Sequence, residues 1–224
     1  MEINKKQKIS ESFSVYIDRR MIKILLIGAI SGFPWVIIGS SLSLWLKEDG
    51  LSRSTVGWAG LIFAVYAFNY LWAPLIDRIR IPWLTNKVGH RRGWIISMQL
   101  IILISLICWS LINPTANLGL VIIIGLIIAI ASATQDITVG ALRIEQIGED
   151  EGKSMQAGAA MAVVGWWTGY KLGGVIALNT AEYFEKIGFE NYWQITFLIL
   201  GMVIIACNIG LMFIREPQAN TRKD

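Results

Sequence analysis

The sequence predicts an all-α integral membrane protein, a bundle of six transmembrane helices, and three observations support that prediction. Hydrophobic residues make up 54% of the 224-residue chain and charged residues only 16%, against about a quarter charged in ordinary soluble domains. Residues 93–135 contain no Asp, Glu, Lys or Arg, a run that a water-soluble globular domain cannot hide. The apolar runs have the length, about 20 residues, that a helix needs to cross about 30 Å of hydrocarbon, and short polar breaks separate them. Ten Trp and 21 Gly fit the same class, because indoles favour membrane interfaces and glycines let helices approach. The net charge of +4 is no sign of nucleic-acid binding; the distribution of the charges matters more.

Taken in order, residues 1–21 form a basic tail, with residues 9–20 a candidate interfacial helix. The first span covers 22–46 and is an anchor, since its apolar run is too long for a cleavable signal and ends without a small-residue cleavage site. The second covers 55–76 and the third 93–112, closed by Asn113-Pro114, because the residue before proline is pushed out of helical geometry. The fourth covers 118–142, the fifth 154–181 with Lys171 inside it, and the sixth 192–214. Residues 215–224 read as a polar tail or the start of a linker. An even number of spans puts both termini on one side. With the N-terminal tail counted through Lys23, the tails and the even-numbered loops hold 16 of the 20 Lys and Arg, and the odd-numbered loops hold 3. The positive-inside bias therefore places both termini in the cytoplasm.

Chemistry is sought among residues that do not belong in hydrocarbon. Cys108 and Cys207 sit in apolar runs as small hydrophobes, and His90 is the sole histidine. No metal site or cofactor is expected. Asp136 follows the apolar part of the fourth span, where an ionisable side chain costs about 2.5–3.5 kcal/mol and usually faces a cavity or a partner. Ser132, Asp136, Gly140 and Arg143 share one helical face. Asp136 either pairs with Arg143 at the end of a long helix or serves a substrate or proton; Gln135 and Thr134 beside it offer polar groups to a solute. Lys171 can snorkel to the outer headgroups, and its neighbours Trp166, Trp167 and Tyr170 either line a sugar site with it or form the outer aromatic belt. Gly165, Gly169 and Gly173 recur every fourth residue, continued by Ala177 and Ala181, a stripe for close helix packing. In the second loop, Asp77-Arg78 closes one span, and Gly89-His90-Arg91-Arg92-Gly93 opens the next. An acid at one helix end and bases at the next form a charge relay able to lock one conformation.

That loop resembles the signature of the major facilitator superfamily. The strings Gly39-Ser40-Ser41-Leu42, Leu71-Trp72-Ala73-Pro74-Leu75-Ile76-Asp77-Arg78 and Ala133-Thr134-Gln135-Asp136-Ile137 are similar to those of the AmpG-type muropeptide permeases. So are Asp18-Arg19-Arg20-Met21 and Gly169-Tyr170-Lys171-Leu172-Gly173, so the likeness spans nearly the whole chain. The resemblance implies a proton-coupled importer of anhydro-muropeptides across the bacterial inner membrane. It also implies that this chain is the N-terminal half of such a fold, with a second six-helix half supplied by a C-terminal continuation or a parallel homodimer. Three positions depart from the family pattern: Asn69 replaces a lysine, Gly140 an acid and Lys171 an arginine. Losing the lysine and the acid together leaves no orphan charge if they pair.

The reading is thus a secondary transporter and no enzyme, with a small polar, sugar-containing solute, protons and the lipid bilayer as its partners. Asp136, Gln135, Arg143, Lys171 and Tyr170 are its candidate coupling and substrate residues. Two rivals stand beside it: an N-terminal fragment inactive without its second half, and a membrane-embedded lipid-linked transferase. The transferase needs clustered acids, histidines or a metal site at the membrane surface, whereas this chain has one His and no acid pair inside a span.

Overall fold

The computed structural model describes residues 14–147 and 152–214. Among these the secondary structure is entirely helical. Most of the candidate interfacial segment at 9–20 and the polar stretch from 215 onward lie outside the described residues; within 14–20 there is a 3-10 turn, Val15–Ile17, before the first long helix.

The first span is the helix Arg19–Glu48. Asp18 starts it by accepting the backbone N–H of Arg20 at 2.9 Å, satisfying one of the donors every helix start leaves free. Pro34 lies inside it and a π turn, Ile37–Ser41, follows. Proline has no N–H to give the carbonyl four residues back, which here belongs to Ile30. Gln135, fully buried on the fourth span, fills that gap: its Nε2 donates to the Ile30 carbonyl at 3.0 Å.

The second span departs most from a regular helix. Its apolar run passes from α-helix through 3-10 turns at Gly60–Ala64 and Asn69–Leu71, breaks at Trp72, and resumes as Ala73–Arg78. Pro74 is the physical reason for the break, since it removes the N–H owed to Tyr70. The Trp72 indole pins the break to the fourth span by donating to Thr134 Oγ1 at 3.1 Å. This is also the least buried span, with Trp58, Leu61, Tyr70 and Leu71 all exposed.

The third span is the helix His90–Trp109, and Leu118–Ile147 forms the fourth. Gly152–Lys186 is the fifth long helix and Tyr192–Met212 the sixth. The loop before the third span, read as a plain polar break, contains a short helix, Leu84–Val88, entered through Trp83 at φ 66°. Gly89 stands at φ 106° immediately before the third span, a conformation open chiefly to glycine. Among the described residues, five long helices can cross a membrane by length and composition: Arg19–Glu48, Arg53–Leu71, His90–Trp109, Leu118–Ile147 and Tyr192–Met212. Gly152–Lys186 is the longest helix at 35 residues, about 52 Å at 1.5 Å per residue. Its glycines, two adjacent tryptophans and Lys171 hold its mean hydropathy below that of the other five.

Packing explains those glycines. The first and fifth long helices approach backbone to backbone: a β-carbon at Gly165 would run into the Leu25 carbonyl, and one at Gly169 into the Ala29 carbonyl. The first helix answers with Gly28, where a β-carbon would sit 2.5 Å from the Ala162 carbonyl oxygen, and with Gly32, which faces the Trp166 backbone. Gly173 abuts the Phe33 ring. At the opposite end from the 77–92 loop, Trp45, Trp109, Trp193 and Phe197 are buried against one another. Glu48 ties this plug to the sixth span by accepting from Trp193 Nε1 at 2.5 Å and Tyr192 Oη at 2.9 Å. These indoles therefore build the core and not an interfacial belt.

Candidate functional site

Asp136 faces the inside of the bundle. The Ser31 hydroxyl donates to its Oδ1, and the Trp35 indole donates to its Oδ2 at 3.3 Å. Both donors lie on the first span one turn apart and on either side of Pro34, so the kink and the carboxylate share one place in the fold. Among the described residues no cation pairs with Asp136. Arg143, the expected structural partner, lies two turns along the same helix and lines the same cavity of about 250 Å³, but makes no ion pair with it. Gly140 completes that face; a β-carbon there would meet nothing within 4 Å, so the position is open cavity wall.

Trp166 lines the cavity and belongs to a cluster of aromatic rings. Trp35 contacts Phe63 at a centroid distance of 5.0 Å and Tyr66 at 4.5 Å, both from the second span. On the other side it meets Trp166 of the fifth span at 5.4 Å, and Trp166 stacks flat on Tyr170 at 5.6 Å with an interplanar angle of 4°. The Tyr66 and Ser132 hydroxyls lie side by side near Asp136, both buried, and neither makes a hydrogen bond of good geometry.

Of the predicted solute residues, Asp136 and Arg143 line this cavity, whereas Tyr170 stacks on Trp166 without lining it. Gln135 is instead occupied with the Ile30 carbonyl. Lys171 is exposed on the fifth helix and does not line this cavity.

The loop motif makes a three-residue bridge. Arg91 pairs with Asp77 at 2.5 Å and with Glu145 at 2.9 Å, joining the ends of the second, third and fourth spans. Arg92 does not share in this: it is buried, and its Nη2 donates to the Met212 carbonyl at 3.1 Å, capping the end of the sixth span. Arg78 is exposed. His90 reaches the Ile76 carbonyl at 3.0 Å, and Trp94 donates to the Ile79 carbonyl at 3.0 Å, so the loop is stitched back onto the second span.

Residues 24–224 match the Major Facilitator Superfamily. The chain belongs to that family. Within it, the sequence is 31% identical over 204 residues to the putative transporter AmpG 4 of Rickettsia felis, covering 91% of this chain and 47% of that protein. It is 32% identical over 206 residues to the putative transporter AmpG 3 of Rickettsia typhi, covering 91% and 46%. It is 28% identical over 208 residues to the anhydromuropeptide permease of Escherichia coli, covering 93% and 40%. The chain thus spans about half the length of the curated relatives it matches. Family membership and the apolar helices together make it a multi-pass membrane protein, similar over most of its length to the AmpG transporters. These relatives carry the names of transporters and permeases, and none is named as an enzyme.

Set in a facilitator half-bundle, the site holds residues that sequence reasoning passed over. Ser31 and Trp35 are the direct ligands of Asp136, yet both read as ordinary residues of an apolar run. Their signal is the spacing of four around Pro34, which puts a hydroxyl and an indole on one face beside a freed carbonyl. Tyr66 and Phe63 gave no such signal, because the irregular turns of the second span scramble its helical periodicity.

Proposed function

We propose that this chain forms the first six-helix half of a proton-coupled secondary transporter for a polar, sugar-containing solute of the muropeptide class, with Asp136 as the coupling acid. The observation that carries the proposal is a carboxylate inside an apolar bundle, held by two neutral donors and by no cation. Such a group is free to gain and lose a proton without breaking an ion pair. The neighbouring aromatic rings suit the apolar face of a sugar, and Arg143 at the cavity's end suits a carboxylate on the solute. The names of the relatives support the solute class.

In this reading Gly152–Lys186 also crosses the membrane, as the fifth of six spans, both termini are cytoplasmic, and the membrane is the bacterial inner membrane. The second half packs on the second and fifth spans, whose outer faces expose Trp58, Leu61, Leu71, Trp167 and Val175. The Arg91 bridge among Asp77 and Glu145 holds one conformational state. The test is uptake of a radiolabelled anhydro-muropeptide into vesicles, with and without an imposed proton gradient, for the chain alone and with a family C-terminal half co-expressed. Gradient-driven uptake is expected once both halves are present. Uptake indifferent to the gradient removes the coupling claim.

A further inference from the structure

We propose that Trp35 is a positioning residue that reads the charge on Asp136 and passes it to the aromatic rings packed around it on the second and fifth spans. The inference rests on the reading of Asp136 as the coupling acid. Trp35 touches everything such a role requires. Its indole N–H is bonded to Asp136 Oδ2, and its ring lies against Phe63 and Tyr66 on one side and Trp166 on the other. It thereby links the fourth span to the second and fifth. The backbone around it is irregular, with Pro34 just before and the π turn Ile37–Ser41 just after, the two features that most often let a helix bend.

The chemistry of the two ligands decides which one responds. A carboxylate accepts on both oxygens, whereas a carboxylic acid has one oxygen that donates. Ser31 adapts to either state, because a hydroxyl both donates and accepts. An indole N–H only donates, so protonation either sets it against an O–H or strips its bond of charge assistance. The Tyr66 and Ser132 hydroxyls are buried in the same part of the bundle. Tyr66 is also the ring closest to Trp35, at 4.5 Å. A proton on Asp136 therefore weakens or breaks the indole bond and shifts the ring contacts around Trp35.

Few other charges compete. Arg143 lines the cavity from the same helix, and Tyr66 faces Asp136 from the second span. The first span presents Ser31 and Trp35, and the fifth presents Ala162, Val163 and Trp166. From the third span, Arg91 and Arg92 are engaged at the loop end of the bundle.

The experiment is fluorine NMR of the 224-residue chain in detergent, biosynthetically labelled with 5-fluorotryptophan and titrated from about pH 5 to about pH 9, a range that covers buried carboxyls. The Trp35 signal, assigned as the one missing from Trp35→Phe, is expected to move with pH in the parent and to stand still in Asp136→Asn. Should Trp35→Phe fail to fold, single Trp→Phe variants of the other nine tryptophans, Trp166 among them, make the assignment by exclusion: the titrating signal must survive them all. A spectrum in which no tryptophan titrates overturns the proposal. So does a titrating signal unchanged in Asp136→Asn, or one abolished by Trp166→Phe. Because the spectrum needs no transport, it can fail while uptake remains proton-driven, and it can succeed where uptake is absent.

Discussion

Replacing Gly169 by alanine tests the packing of the first and fifth helices with a single methyl group. The added β-carbon would overlap the Ala29 carbonyl and lie 2.8 Å from the Ala29 α-carbon. Ordinary carbon contacts begin at about 3.5 Å, so the helices must separate by roughly 1 Å. The obstructing atoms are backbone, which has no rotamer to yield. Overpacking of this kind costs about 1–3 kcal/mol, and at about 2–4 °C per kcal/mol for a chain of this size the melting temperature should fall measurably. Gly174, on the same helix, is the control: a β-carbon there meets nothing within 4 Å. Gly174→Ala should be neutral or stabilising by up to about 1 kcal/mol, through helix propensity alone. Thermal unfolding of both variants in the same detergent makes the comparison. Equal melting of Gly169→Ala and Gly174→Ala would refute the claim that the stripe faces a backbone.

Other consequences follow from the same geometry. Gln135→Leu should cost about 1–3 kcal/mol by orphaning the Ile30 carbonyl, and the penalty should shrink in a Pro34→Ala background, where the backbone N–H returns; an equal penalty in both backgrounds, read by thermal unfolding, contradicts the pairing. Asp77→Asn should change stability by at most about 1 kcal/mol, because the acid is 58% exposed, yet shift the balance of inward- and outward-facing states in an assembled transporter, read as altered cysteine accessibility of the two faces. Cysteines placed at Ser10 and Gln218 should both be shielded from a membrane-impermeant reagent in intact cells, and labelling of either from outside overturns the topology.

Much of this fold was legible because hydrocarbon imposes a coarse rule on sequence. The charge-free runs gave the helices, and the glycine spacing of four gave a packing face whose other half, Gly28 and Gly32, lies in a run that also reads as plain hydrophobic anchor. The second span was not legible as it stands. An apolar run without charge specifies that a segment is inserted, but Pro74 and the adjacent turns decide its path, and periodicity fails where 3-10 and α turns alternate. Around the site, Asp136 stood out because a carboxylate in an apolar run is anomalous. Its partners did not, since Ser31 and Trp35 gain meaning only when the first and fourth spans meet. Arg143 shows the converse: helical spacing put it on the right face, but sharing a face over two turns does not make an ion pair. Gln135 was read as a solute ligand from its neighbour, and its true contact depends on a proline in another span.

The central claim is that Asp136 couples a proton to solute movement. Its most direct test is Asp136→Asn in a transporter assembled from this chain and a C-terminal half, assayed for gradient-driven uptake and for solute exchange without a gradient. The amide keeps an oxygen that can accept from Ser31 or Trp35 and is less costly to bury than the carboxylate, so insertion and exchange should persist while gradient-driven accumulation is lost. Accumulation at the parent level in the Asn variant would contradict the account and move the coupling site elsewhere.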